Sequence, residues 1–142
     1  MIEPNVYVSF DYTNDRRYKY MLKAWNAKSP FNFVFSEITP KDINPSNIAR
    51  TKAAISVKIK SADYTLVIVG KDANGLNKDS ERIGYRNWIN FELAQSKSHG
   101  HKIVAVKLDS ADEAPEELKD ADVKWVSGFT EKAITKALNK TS

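Results

Sequence analysis

The chain contains no cysteine, which excludes a disulfide framework, a thiol nucleophile and any metal site built on thiolates. Glycine and proline are scarce, five of each in 142 residues, and no biased tract occurs, so collagenous, low-complexity and disordered classes are excluded. No apolar run approaches the roughly 20 residues that a membrane-spanning helix needs. The opening Met1-Ile2-Glu3-Pro4 has neither a basic n-region nor an apolar h-region. The expectation is a protein with no membrane partner, working in the cytoplasm. No block of five like charges exists, which argues against a nucleic-acid-binding tail.

What is present describes one globular domain over residues 1–142, without linker or internal repeat. Hydrophobic residues make up 42% and aromatics 11%, enough for a sizeable core at a length typical of single domains. The charge is uneven. Of 22 Lys+Arg and 18 Asp+Glu, residues 1–60 hold 10 and 5 and residues 61–142 hold 12 and 13. A basic first half suits an anionic partner such as a nucleotide phosphate; the simpler reading is a solvated Lys/Arg surface.

Val6-Tyr7-Val8-Ser9-Phe10 alternates as a strand, and Asp11 to Asp15 supplies turn and cap residues before a helix from about Arg16 to Ala27, with Tyr18, Met21, Leu22 and Trp25 on one stripe. Phe31 to Phe35 reads as a second strand. Ile48 to Lys60 fits a strand through Ile55, Val57 and Ile59, or a helix through Ile48, Lys52, Ile55 and Ile59; its length and Ala53-Ala54 favour the helix. Tyr64 to Val69 is the nearly continuous apolar run of a central, doubly covered parallel strand. A long polar connection, Gly70 to Tyr85, precedes a helix from about Arg86 to His99. Lys102 to Leu108 and Val123 to Val126 read as strands, the acidic stretch between them as one or two helical turns, and Thr130 to Asn139 as a terminal helix. The alternation predicts an α/β fold of three layers, with a five-stranded parallel sheet in flavodoxin-like order 2-1-3-4-5.

Ligands of such sheets bind beyond the carboxyl ends of the strands. That places Ser9, Phe10 and Asp11, Ser36 and Glu37, Lys71 and Asp72, and Asp109 under scrutiny. There is no G-x-G-x-x-G and no G-x-x-x-x-G-K-[ST], so neither Rossmann-type dinucleotide binding nor a P-loop is supported. His99 and His101 have no third metal ligand nearby, and no metal is expected. On the helix after the central strand, Trp88, Glu92, Gln95 and His99 share a stripe, whereas Ile89 and Leu93 face elsewhere. By itself this is an amphipathic helix with its polar side in water.

In combination these segments resemble the TIR and TIR-like family, in particular the short prokaryotic branch of Thoeris anti-phage defence. Val6-Tyr7-Val8-Ser9-Phe10-Asp11-Tyr12 is similar to the family's opening strand with a Ser/aromatic pair and an acidic residue. Ile59 to Gly70 is similar to its helix, serine and central strand, and Trp88-Ile89-Asn90-Phe91-Glu92-Leu93 to its Trp-x-x-x-Glu-Leu signature. The resemblance covers roughly residues 5–108. It implies that Glu92 is catalytic in cleaving the nicotinamide N-glycosidic bond of NAD+, with NAD+ as substrate and no bound cofactor.

One carboxylate suffices for that bond, because nicotinamide leaves as a neutral pyridine and requires no acid, unlike the alkoxide of an O-glycoside. Ser9, Phe10, Asp11, Ser36, Lys71 and Trp88 are expected to line the pocket with Glu92, Phe10 or Trp88 stacking on the pyridinium. The product would be a linear or cyclic ADP-ribose signal sensed by a downstream effector protein, with self-association as a further partner mode. Two alternatives stand beside this: a catalytically silent TIR-like scaffold that acts through self-association or partner binding, and a receiver or flavodoxin domain, whose acidic pair and Ser/Thr-rich phosphate loop are lacking.

Overall fold

The computed structural model describes residues 4–25, 31–35 and 47–141. Its elements are β1 (Asn5–Ser9), α1 (Tyr12–Trp25), β2 (Asn32–Phe35), α2 (Ile48–Lys60), β3 (Tyr64–Val69), a single turn α3 (Ser80–Ile83), α4 (Trp88–Ser98), β4 (Lys102–Lys107), a 3-10 turn (Glu116–Leu118), β5 (Val123–Ser127) and α5 (Glu131–Thr141). The five strands form one sheet in the order β2-β1-β3-β4-β5, and every neighbouring pair is parallel. The predicted architecture is the observed one.

Strand periodicity divides the core into two layers. Val6 and Val8 of β1, Leu66 and Ile68 of β3, and Val104 and Val106 of β4 meet Leu22 of α1 and Ile134 and Leu138 of α5. The alternate residues turn the other way: Val67, Val69, Ile103 and Ala105 meet Ile89 and Leu93 of α4, and Tyr7 packs with Ile55 and Ile59 of α2 and Phe91 of α4. β3 is buried along its whole length, as a strand between two others and two helical layers must be. Each large aliphatic side chain so removed from water contributes about 1.5–3 kcal/mol.

The ambiguous stretch is a helix for a visible reason. Ile48, Ile55 and Ile59 are buried, while Val57, which a strand would place on the side of Ile55 and Ile59, is 66% exposed. Asn47 caps it, its side chain accepting from the Arg50 amide at 3.2 Å. The first helix begins at Tyr12 instead of Arg16 because Asp11 is its cap. The Asp11 carboxylate accepts from the Thr13 amide at 3.1 Å, and its carbonyl accepts from the Asp15 amide at 2.7 Å. Met21 departs from the expected apolar stripe and is 38% exposed, whereas the acidic Asp15 is buried.

Candidate active site

Glu92 belongs to the second turn of α4, and packing of this helix on the sheet drives the side chain inward until it is only 2% exposed. A buried carboxylate is costly without donors. Two hydroxyls of β1 supply them: the Tyr7 phenol donates to Oε2, and the Ser9 hydroxyl donates to Oε1 at 3.2 Å. Tyr7 and Ser9 are two positions apart, hence on one face of the strand, and that face meets α4. The stripe read as water-facing is therefore turned to the sheet at Glu92. Further along it, Gln95 accepts from the Ser56 hydroxyl of α2 at 3.1 Å.

A cleft of about 460 Å³ opens at the carboxyl ends of β1 and β3. Phe10, Asp11, Tyr12 and Thr13 form the wall from β1, Asp72, Gly75, Leu76 and Asn77 the wall from the loop after β3, and Asn87, Trp88 and Ile89 the start of α4. Trp88 is half-buried and stands edge-on to Phe91, centroids 5.8 Å apart at 86°. Glu92 is one helical turn past Trp88, and Ser9 immediately precedes Phe10. Glu92 and Ser9 are not themselves lining residues; each adjoins the lining through the chain.

The loop wall is fixed by asparagines. Asn87 donates to the carbonyls of Ala73 at 3.0 Å and Gly75 at 2.9 Å, and its side-chain oxygen accepts from the Asn90 amide at 2.9 Å, capping α4. Asn90, fully buried, donates to Asn74 at 3.1 Å and accepts from the Glu117 amide at 3.0 Å. This network ties the polar connection, α4 and the segment before β5 together, so the loop is a preformed wall.

Behind the β1 wall sits a second buried carboxyl. Burial, then the nearby Asp11 and Asp112 carboxylates, push Asp15 from an ordinary 3.8 up to about 6, while Arg17 pulls the other way and Asp72 adds to the rise. Its Oδ2 has no hydrogen-bond partner among the described residues and packs on Gly70, where any Cβ would overlap it. His101 is lowered by burial and by His99; it contacts the Thr65 hydroxyl at 3.0 Å at the start of β4, at the opposite end of the sheet from the cleft.

Of the residues singled out in the sequence, Phe10, Asp11 and Trp88 line the cleft, whereas Ser9 and Glu92 do not; these two are hydrogen-bonded to each other in the interior. Lys71 is exposed and is not part of the lining. Ser36 lies outside the described residues. Among the described residues no group of three or more His, Asp or Glu is arranged to hold a metal ion. Tyr7 and the asparagines escaped sequence reasoning. The signal for Tyr7 was its period-two relation to Ser9.

Fold and site define a TIR-like α/β domain with a cleft at the strand ends and a buried glutamate on the helix that begins in its wall. The chain belongs to the family of the Thoeris protein ThsB, TIR-like domain, whose pattern matches residues 7–113. Comparison with curated proteins yields no match. Among solved structures it is similar in fold to a prokaryotic SEFIR domain, with 18% identity, 96% and 94% of the two chains covered, and a TM-score of 0.56. It is also similar to the CMP N-glycosidase BcmB of Clostridium botulinum, with 12% identity, 96% and 98% covered, and a TM-score of 0.55. A putative pilus assembly-related protein from Burkholderia pseudomallei is similar at 11% identity, 98% and 89% covered, and a TM-score of 0.52. No helix among the described residues is long and apolar enough to cross a membrane.

Proposed function

We propose that the protein cleaves the bond between nicotinamide and ribose in NAD+, its substrate, and releases an ADP-ribose-type signal for a downstream effector in anti-phage defence. The observation that carries this reading is the position of Glu92. In a member of this family, it is one helical turn from the cleft-lining Trp88 and hydrogen-bonded to Ser9 beside the cleft-lining Phe10. The pyridinium ring stacks against the cleft aromatics, and the ribose enters past Trp88 toward the carboxylate. The C1′–N bond breaks with both electrons passing to the ring nitrogen, so nicotinamide departs neutral. Glu92 stabilises the positive charge left on the ribose. Water then adds at C1′ and loses a proton to give ADP-ribose, or an internal nucleophile closes a cyclic product. No bound cofactor is required. The diphosphate extends out of the cleft, where Arg16, its guanidinium carbon 5.9 Å from the Tyr12 ring centroid, offers a cation.

A second reading is a silent scaffold, favoured by one observation: Glu92 is almost fully enclosed, with Tyr7 and Ser9 bonded to it, as a structural carboxylate would be. Nicotinamide release from NAD+ by the full chain, alone and with lysate of phage-infected cells, separates the two. Release that is lost in Glu92→Gln supports the enzyme. Release at equal rates by both forms, or by neither, sinks that reading.

A further inference from the structure

The described lining of the cleft is acidic in a chain that is basic overall. The protein carries 22 Lys+Arg against 18 Asp+Glu, yet among the described residues the cleft is lined by Asp11 and Asp72 and by no Lys, Arg or His. The two carboxylates come from different elements, the cap of α1 and the loop after β3, and one side chain joins them. The Asn14 amide nitrogen donates to Asp11 Oδ2 at 2.6 Å and to Asp72 Oδ2 at 2.8 Å. A side-chain amide has two hydrogens, so each carboxylate receives one, and two like charges are held on adjoining parts of one cleft. Asp11 has a second task, accepting from the Thr13 amide to cap α1. Asp72 is exposed, and Asn14 is its side-chain donor.

The other feature of the cleft is aromatic. Phe10, Tyr12 and Trp88 line it, with the Phe10 and Tyr12 ring centroids 6.2 Å apart. Ring faces carry negative charge and attract cations. Carboxylates and aromatic rings lining one cleft suit a ligand that is both planar and positive, and the carboxylates repel a phosphate. Asp11 and Asp72 are thus placed to select by charge where the rings select by shape.

We propose that Asp72, positioned by Asn14, is the specificity residue by which this cleft takes a cationic N-substituted pyridinium in preference to a neutral ring of the same shape. This rests on the N-glycosidase reading and deepens it. The nicotinamide ring of NAD+ is cationic, and the ring that leaves on cleavage, like that of the reduced dinucleotide, is neutral. The same carboxylate that draws the substrate ring in therefore gives no hold on the leaving group, which favours its release.

The test is a calorimetric titration of the full chain with two probes, 1-methylnicotinamide, a cation, and nicotinamide, its neutral counterpart. Wild type is expected to bind the cation about tenfold more tightly, equivalent to about 1.4 kcal/mol, with the preference shrinking as salt is raised. Asp72→Asn is expected to reduce the preference to about twofold with nicotinamide affinity and melting temperature unchanged. Asn14→Ala, which frees Asp72 from Asp11, is expected to weaken it partly, and Asp72→Glu to retain most of it. Equal affinity for both probes, binding of neither, or a preference untouched by Asp72→Asn overturns the proposal. NAD+ turnover is followed on the same samples. A cation preference without turnover sinks the enzyme reading and leaves this one standing; turnover without the preference does the reverse.

Discussion

The Tyr7 phenol on the first strand donates a hydrogen bond to the Glu92 carboxylate on α4, 85 positions later in the chain. Tyr7 is fully buried and Glu92 nearly so, so this contact ties a sheet residue to a helix residue in a place from which water is excluded. Tyr7→Phe keeps the ring and removes the donor. Leaving a buried acceptor with one donor fewer costs about 1–3 kcal/mol, to be read from urea unfolding. Turnover of NAD+ is expected to fall about tenfold through kcat more than KM, because the phenol orients Glu92 without reaching the cleft. Unchanged stability together with unchanged kcat would show that the contact does neither.

Glu92→Gln retains nearly the same shape and loses the charge. Removing one electrostatic contact to a developing transition-state charge costs roughly 2.7–4 kcal/mol, and each 1.36 kcal/mol is tenfold in rate. Nicotinamide release is therefore expected to fall by about a hundredfold or more, with circular dichroism and melting temperature close to wild type. Full activity in the variant removes Glu92 from the chemistry. A collapsed melting temperature assigns it to the fold.

How far the sequence discloses this molecule follows from which forces each residue obeys. β3 was legible because a strand covered on both faces must be apolar throughout, and Tyr64 to Val69 is. α2 was legible through its length and Ala53-Ala54, and the exposure of Val57 shows why a strand would not have served. Glu92 was visible through its spacing from Trp88, but its orientation was not. A polar stripe on a helix reads the same whether it meets solvent or the hydroxyls of Tyr7 and Ser9, and only the packing of α4 on β1 decides. The asparagine network was illegible because Asn74, Asn87 and Asn90 look like ordinary loop and cap residues until chain reversal brings Ala73, Gly75 and Glu117 to them. Lys71 was selected by topology, which names the end of a strand but not the direction of a side chain. Its neighbour Asp72 is the one that enters the cleft lining.

Asp15 gives the protein a pH dependence of definite sign. Burial, reinforced chiefly by Asp11 and Asp112, holds it at about 6 in the folded state against an ordinary 3.8, so between these values the native form binds more protons than the unfolded chain. The group's contribution is most favourable below about pH 4 and declines as pH rises to about 6. At neutral pH the buried charge is a net cost. Asp15→Asn imitates the protonated acid, and the variant is expected to gain about 2 kcal/mol over wild type at pH 7 and little at pH 4. Unfolding curves collected across that range test it. Parallel stability profiles for the two proteins would show that Asp15 does not titrate in this window.

Gly70, just past the end of β3, packs against Asp15 of α1. A methyl group at this position would overlap Asp15 Oδ2 and stand 2.8 Å from its Cγ, and Asp15 is too deeply buried to swing into solvent. Gly70→Ala is therefore expected to destabilise by about 1–3 kcal/mol, as overpacking of a filled interior does. The three atoms nearest to such a methyl all belong to Asp15, so Asp15→Ala should relieve the overlap. The double variant is expected to be at least about 1 kcal/mol more stable than the sum of the two single effects implies, well outside the roughly 0.3–0.5 kcal/mol within which independent sites add. Additive effects, or a harmless Gly70→Ala, would mean that the helix and strand part without strain and that the close packing is incidental. Coupling would identify Gly70 and Asp15 as the joint that sets the distance between the two walls of the cleft. NAD+ affinity should then follow stability in the single variant and recover with it in the double.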